Sequence, residues 1–160
     1  MKELWAPWRM EYILANNKEH DGCFLCEKAA ASKDEENYVL YRGQHNFVIL
    51  NAYPYNIGHL MVAPYRHGGD MDDLTKDEMA EHLQIVNKSL GVLRKALEAQ
   101  GFNIGMNIGK VAGAGLADHL HNHIVPRWEG DTNFMPVIAD IKVVPEGLKA
   151  TYDKLKGFFK

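Results

Sequence analysis

The segment His119-Leu120-His121-Asn122-His123-Ile124-Val125 sets an imidazole at every second residue. Imidazole is the side chain whose protonation lies nearest neutrality, so it can attack, exchange a proton or bind a metal. On a helix these three rings would point in widely different directions. On an extended strand alternate residues share a face, so His119, His121 and His123 are expected to line one surface about 7 Å apart. Core packing calls for no such row. Just upstream lies Gly109-Lys110-Val111-Ala112-Gly113-Ala114-Gly115, whose glycines let backbone N–H groups approach an anion closely. Together the two stretches point to a catalytic strand behind a phosphate-binding loop. A neutral imidazole nitrogen can attack phosphorus and form a phosphoramidate, provided an acceptor holds the other nitrogen and fixes the tautomer. Flanking imidazoles can then donate to phosphate or leaving-group oxygens. The loop is not a Walker motif, because no Ser or Thr follows Lys110.

A second constellation is Cys23-x-x-Cys26, the only two cysteines of the 160 residues. In a cytosolic chain this spacing suggests metal or redox chemistry rather than a structural disulfide. The start of the chain lacks the long apolar core of a signal peptide, and no run approaches the ~18 apolar residues of a membrane span. A cytoplasmic protein is expected. A net charge of −3 and the lack of a Lys/Arg cluster argue against nucleic acid as the main partner.

The elements that must position these residues follow from periodicity. Short strand-like runs occupy Tyr38–Tyr41, Phe47–Leu50 and His59–Ala63, divided by Gly43, Pro54, Gly58 and Pro64. Further strands are expected over 103–108 and 118–125, and an apolar, strand-like region over Met135–Val144. The clearest helix spans 75–100. Thr75 and Glu78 have the form of a capping box, and Gly101 is a natural stop. Met79, Leu83, Val86, Leu90, Leu93 and Leu97 recur as one apolar stripe. A short C-terminal helix is expected near 146–158. Residues 32–37 read as a charged, solvated loop, and the aromatic residues of 1–20 as an arm packing on its own domain or a partner subunit. Antiparallel strands with one long helix make the class α+β.

His119-Leu-His121-Asn-His123-Ile-Val125 resembles the signature of the histidine triad (HIT) superfamily of nucleotidyl hydrolases and transferases. Gly58-His59-Leu60-Met61-Val62-Ala63-Pro64-Tyr65-Arg66-His67 is similar to the family's Gly-His-strand-Pro-x-x-His segment. The core resemblance covers roughly 22–128. The ends, Leu4–Met10 and Pro126–Phe134, resemble the bacterial branch that includes diadenosine tetraphosphate phosphorylases. The resemblance implies a single domain over 1–160, with an N-terminal arm, a C-terminal extension over 129–160, and a sheet continued across a homodimer.

It also implies roles. His121 would be the nucleophile that takes the nucleotidyl group, and His123 would contact the bound phosphate and the leaving-group oxygen. Asn51 would bind ribose, His59 would sit near the phosphates, and Asn107 would offer an amide to substrate. Backbone N–H groups of Gly113, Ala114, Gly115, Leu116 and Ala117 would hold the α-phosphate, with Lys110 or Arg127 as candidate counter-charges. Cys23, Cys26, His67 and His119 match the zinc ligands of several bacterial members, and Cys₂His₂ is a common tetrahedral zinc set. The substrate would be an adenine nucleotide or dinucleoside polyphosphate, with phosphate favoured over water as acceptor. Two departures stand out. Asn122 replaces the apolar residue that many relatives carry there, and the loop lacks the Gln of Fhit-like members. The alternatives are a nucleoside phosphoramidase-type hydrolase, a nucleotide-binding signalling protein with little turnover, and a zinc-dependent structural module.

Overall fold

A computed structural model describes residues 22–131 and 146–160. The aromatic arm 1–20 and the strand expected over 135–144 lie outside the described residues. Strands β1 (Val39–Arg42), β2 (Asn46–Leu50), β3 (Leu60–Pro64), β4 (Gly101–Met106) and β5 (Asn122–Arg127) form one sheet in the order β1-β2-β3-β5-β4. Each neighbouring pair is antiparallel. The described helices are α1 (Phe24–Ala30), α2 (Asp34–Asn37), α3 (Lys76–Leu97) and α4 (Leu148–Lys156). The class is α+β, as the periodicity predicts.

Period-two alternation splits the core between the two faces of the sheet. Val48, Leu50, Leu60, Val62 and Ile124 cluster with Val86 and Leu93 of α3 and with Tyr152 and Leu155 of α4. Phe47, Ile49, Met61 and Ala63 cluster instead with Leu25 of α1. Burying each such side chain stabilises the fold by about 1.5–3 kcal/mol. β2 and β3 are buried at every position and so anchor the sheet. Among the described residues, α3 and α4 pack on one face and α1 on the other.

Helix α3 starts as expected: Thr75 Oγ1 accepts from Glu78 N–H, and the Glu78 carboxylate accepts from Thr75 N–H at 2.7 Å. Its buried face differs from the apolar stripe. Glu78, His82, Ile85, Val86, Ser89, Val92 and Leu93 are buried, whereas Leu83 is 66% exposed. Three polar residues can occupy that face because each finds a partner there. Arg66 donates to Glu78 (2.9 Å), His82 meets Asn46 (2.8 Å), and Ser89 donates to the Ile85 carbonyl (2.8 Å). The helix also ends earlier than Gly101. Glu98 takes the left-handed conformation, φ 53°, and Gly101 opens β4 instead. The Trp128 indole donates to the Leu97 and Glu98 carbonyls, both at 3.1 Å, satisfying groups that a helix end leaves open. Within the expected loop 32–37, residues 34–37 form α2. Arg42 binds the Asp34 carboxylate and the carbonyls of Ala29 and Ala31, fastening α1 and α2 to the sheet edge.

Candidate active site

The three histidines do not all lie on an extended strand. β5 begins at Asn122, so of the three only His123 lies on the strand. The backbone before it is irregular, and His119 meets Cys23 and Cys26 of the α1 segment. This corrects the strand expected over 118–125, which begins only at Asn122. The turn has a visible cause: Leu120 N–H donates to the Gly68 carbonyl (2.6 Å) and the His119 ring to the Pro64 carbonyl (2.8 Å), so both follow the segment after β3 rather than extending β5.

His121 is 7% exposed, and its Nδ1 lies 2.8 Å from the His119 carbonyl. A carbonyl can only accept, so Nδ1 carries the proton and Nε2 presents a lone pair. Burial holds this imidazole below its ordinary pKa, against the opposing pull of the carbonyl bond. Its ring meets that of His123 edge-on, with centroids 4.9 Å apart.

His123 is polarised from the opposite side. Tyr55 N–H can only donate, and it lies 3.0 Å from Nδ1 of the fully buried His59. Neutral His59 therefore carries its proton on Nε2, which lies 3.0 Å from Nδ1 of His123. That leaves the His123 proton on Nε2. One imidazole thus offers a lone pair and its neighbour an N–H. The Tyr55 amide that sets this polarity gives no signal in a linear sequence, because it acts through the fold of the 51–58 loop.

Cys23, Cys26, His67 and His119 come together from α1, the segment after β3 and the turn before β5, with all four ligand atoms within 4.8 Å of one another. His119 Nδ1 lies 3.2 Å from Cys23 Sγ and 3.4 Å from Cys26 Sγ, and His67 Nδ1 lies 3.4 Å from Cys26 Sγ. A tetrahedral ion with bonds of about 2.0–2.3 Å places its ligands roughly 3.5 Å apart, so the donor set fits a metal. The Pro64 carbonyl holds His119 Nε2–H and turns the Nδ1 lone pair toward the cluster, as ligating imidazoles require. Burial and the neighbouring Cys23 push the Cys26 thiol up to about 11.

The remaining expected residues divide. Asn51 follows β2, and its Oδ1 accepts from Tyr53 N–H at 2.8 Å. Asn107 lies one residue beyond the Met106–Asn122 pair that ends β4. Residues 113–117 follow a 3-10 turn over Lys110–Ala112, with Gly113 left-handed at φ 84°. Among the described residues, no backbone carbonyl takes the N–H groups of 114–117. Leu116 packs beside Leu25 and ties the loop to the α1 side. Arg127, a candidate counter-charge, is committed elsewhere: it grips Asp131 (2.6 and 2.8 Å) and Asn103 (2.8 Å) at the far end of β5. Trp128 packs behind the sheet. His82 is buried and bonded to Asn46. A cleft of about 660 Å³ beside Trp128, Glu98 and Lys154 holds none of the expected site residues.

Known proteins match this geometry. The HIT domain model matches residues 32–130. An "AP-4-A phosphorylase" of Mycobacterium tuberculosis is 41% identical over 157 residues, 94% of this chain and 80% of that protein. A "Bis(5'-nucleosyl)-tetraphosphatase [asymmetrical]" of Schizosaccharomyces pombe is 34% identical over 58% of this chain and 50% of its own. Among solved structures, a Zn-bound histidine triad family protein from Mycobacterium smegmatis superposes with a TM-score of 0.69 at 26% identity, covering 87% of this chain and 94% of that one. Sequence signature, sheet order and paired imidazoles converge: the chain belongs to the HIT domain family.

Proposed function

We propose that this chain is a nucleotidyltransferase that cleaves dinucleoside polyphosphates at an α-phosphate and hands the adenylyl group to inorganic phosphate. The observation that carries the reading is the opposed polarity of His121 and His123. His121 Nε2 attacks Pα, forming a P–N bond as the bridging P–O bond breaks. The departing oxygen takes the proton of His123 Nε2. A phosphate oxygen then attacks Pα, the P–N electrons return to His121, and the incoming phosphate's proton restores His123. Splitting one displacement into two steps is the gain of a covalent nucleophile. His59 keeps His123 in the donating tautomer, Asn51 and Asn107 contact the nucleoside side, and the N–H groups of 113–117 hold the phosphate. Likeness to the mycobacterial phosphorylase over most of the chain supports phosphate as acceptor.

Zinc is the ion we assign to Cys23, Cys26, His67 and His119, since two thiolates and two imidazoles in a closed set suit it and leave no open position. Bound there, it holds α1 against the turn before β5. We place the protein in the cytosol, where free cysteines persist. No described helix is long and apolar enough to cross a membrane. We also assign the outer edge of β4 to a homodimer that continues the sheet. Among the described residues β4 is an edge strand that exposes Asn103–Gly105, with Ile104 46% exposed, and a sheet edge favours strand pairing. Sedimentation as a monomer at micromolar concentration would refute that assignment.

Product analysis tests the reaction. Diadenosine tetraphosphate should give ATP and ADP in the presence of phosphate. ATP and AMP alone, at millimolar phosphate, would make the enzyme a hydrolase.

A further inference from the structure

We propose that Cys23 and Cys26 are an oxidation site that governs the nucleophile. A two-electron oxidant such as hydrogen peroxide joins them as a disulfide, withdraws both thiolates from the metal set and slackens the turn that positions His121. The inference rests on the zinc reading above and adds a reversible control to it.

The cluster has an open side and a closed side. His67 is exposed and both cysteines are partly exposed, whereas His119 is fully buried. A small solute therefore reaches the sulfurs from the His67 side. Cys23 caps α1 and Cys26 lies in its first turn, which Glu27 N–H closes onto the Cys23 carbonyl at 3.0 Å. That spacing sets their Cα atoms roughly 5–6 Å apart, inside the span that a disulfide bridges. The two sulfurs lie within 4.8 Å of each other.

The chemistry balances with peroxide as oxidant. The Cys26 thiolate attacks one peroxide oxygen, an S–O bond forms as the O–O bond breaks, and the departing hydroxide takes a proton from solvent. The Cys23 thiolate then attacks the Cys26 sulfur, and the hydroxyl leaves with a second solvent proton. The sulfurs have lost two electrons, and peroxide has become two waters. Of the four donors, only the imidazoles of His67 and His119 then remain, too few to hold zinc in its closed tetrahedral set.

The loss reaches the nucleophile through the backbone. The His119 carbonyl that accepts from His121 Nδ1 belongs to a residue whose ring meets both sulfurs, at 3.2 and 3.4 Å. Leu120, between the two histidines, donates its N–H to the Gly68 carbonyl, one residue past His67. The Pro64 carbonyl still holds His119 Nε2–H, so the turn loosens without coming apart. A looser carbonyl holds His121 less firmly in the tautomer that presents Nε2.

The test treats the native protein, purified under reductant, with hydrogen peroxide, and follows zinc release, intact mass and steady-state kinetics on the same samples. Each Cys23–Cys26 disulfide, read as the loss of two hydrogens, should free one zinc. With it kcat should fall about tenfold, the low end of what losing an orienting partner costs, while KM stays nearly unchanged. Dithiothreitol with added zinc should restore the rate. Zinc retained by the oxidised protein, a kcat that ignores zinc release, or a loss that reductant cannot reverse would each overturn the proposal. Elemental analysis of the reduced protein tests the zinc reading separately, because absence of zinc there would refute that reading before any oxidant is added.

Discussion

His119 and His121 stand two residues apart and belong to opposite kinds of site. Around His119 the donor atoms converge: two sulfurs and two imidazole nitrogens face a common centre. Such an arrangement asks for a cation. Around His121 and His123 the hydrogen bonds run in sequence, each ring set by the group behind it, from the Tyr55 amide to His59 to His123 and from the His119 carbonyl to His121. Such an arrangement needs no ion and presents one lone pair and one proton. The difference lies in what holds the second nitrogen of each ring: the Pro64 carbonyl for His119, the His119 carbonyl for His121 and the His59 ring for His123.

Removing the bare nitrogen should break the second arrangement most severely. His121→Ala is expected to lower kcat by at least about 10³-fold while the melting temperature stays within a few degrees, since its loss eliminates the attacking group. Single-turnover assays should show no adenylyl-protein. His123→Ala should slow the reaction by roughly 10²–10⁴-fold, the range for a general acid, and a leaving group that needs no proton should recover much of the loss. In the first arrangement, Cys23→Ser or Cys26→Ser should cut bound zinc well below one per chain. The melting temperature should fall with it by roughly 10 °C, at about 2–4 °C per kcal/mol for a chain of this size. Elemental analysis and calorimetry on the same samples check both.

The smallest effect sharpens the contrast through a third buried imidazole. His82 is bonded on Nδ1 to Asn46, and its Nε2 has no partner among the described residues. Burial alone pushes it down to about 4. The unfolded chain binds this proton near pH 6.5 and the folded chain only near 4, so folding stability is lost as pH falls between those values. The loss reaches up to about 3 kcal/mol. His119 and His121 are displaced in the same direction. Denaturant titrations should show His82→Gln with a flatter pH dependence over that window.

Much of this was legible beforehand. The capping box at Thr75 and the two buried strands β2 and β3 were readable because each depends on residue types at short, regular spacing, whereas the Cys/His set followed only from the family resemblance. The buried face of α3 was not. Counting apolar residues favoured Leu83, while Glu78 and His82 are buried because Arg66 and Asn46, far off in sequence, satisfy them. Nor could alternation show that His119 leaves the strand, since the Gly68 and Pro64 carbonyls that draw it aside lie more than fifty residues upstream. Arg127 looked available for phosphate until Asp131 and Asn103 closed on it.

The contact between Cys23 and His119 joins residues separated by 96 positions. An ion held there is a reversible staple across most of the described chain. Closing a loop of that length in the unfolded ensemble removes on the order of 4 kcal/mol of chain entropy, as a disulfide of equal span would. During synthesis the cysteines and His67 emerge well before His119, so the staple shuts only after β3 and α3 have been made. A metal chelator applied to the nascent protein would therefore act at a late step, after most of the sheet has formed.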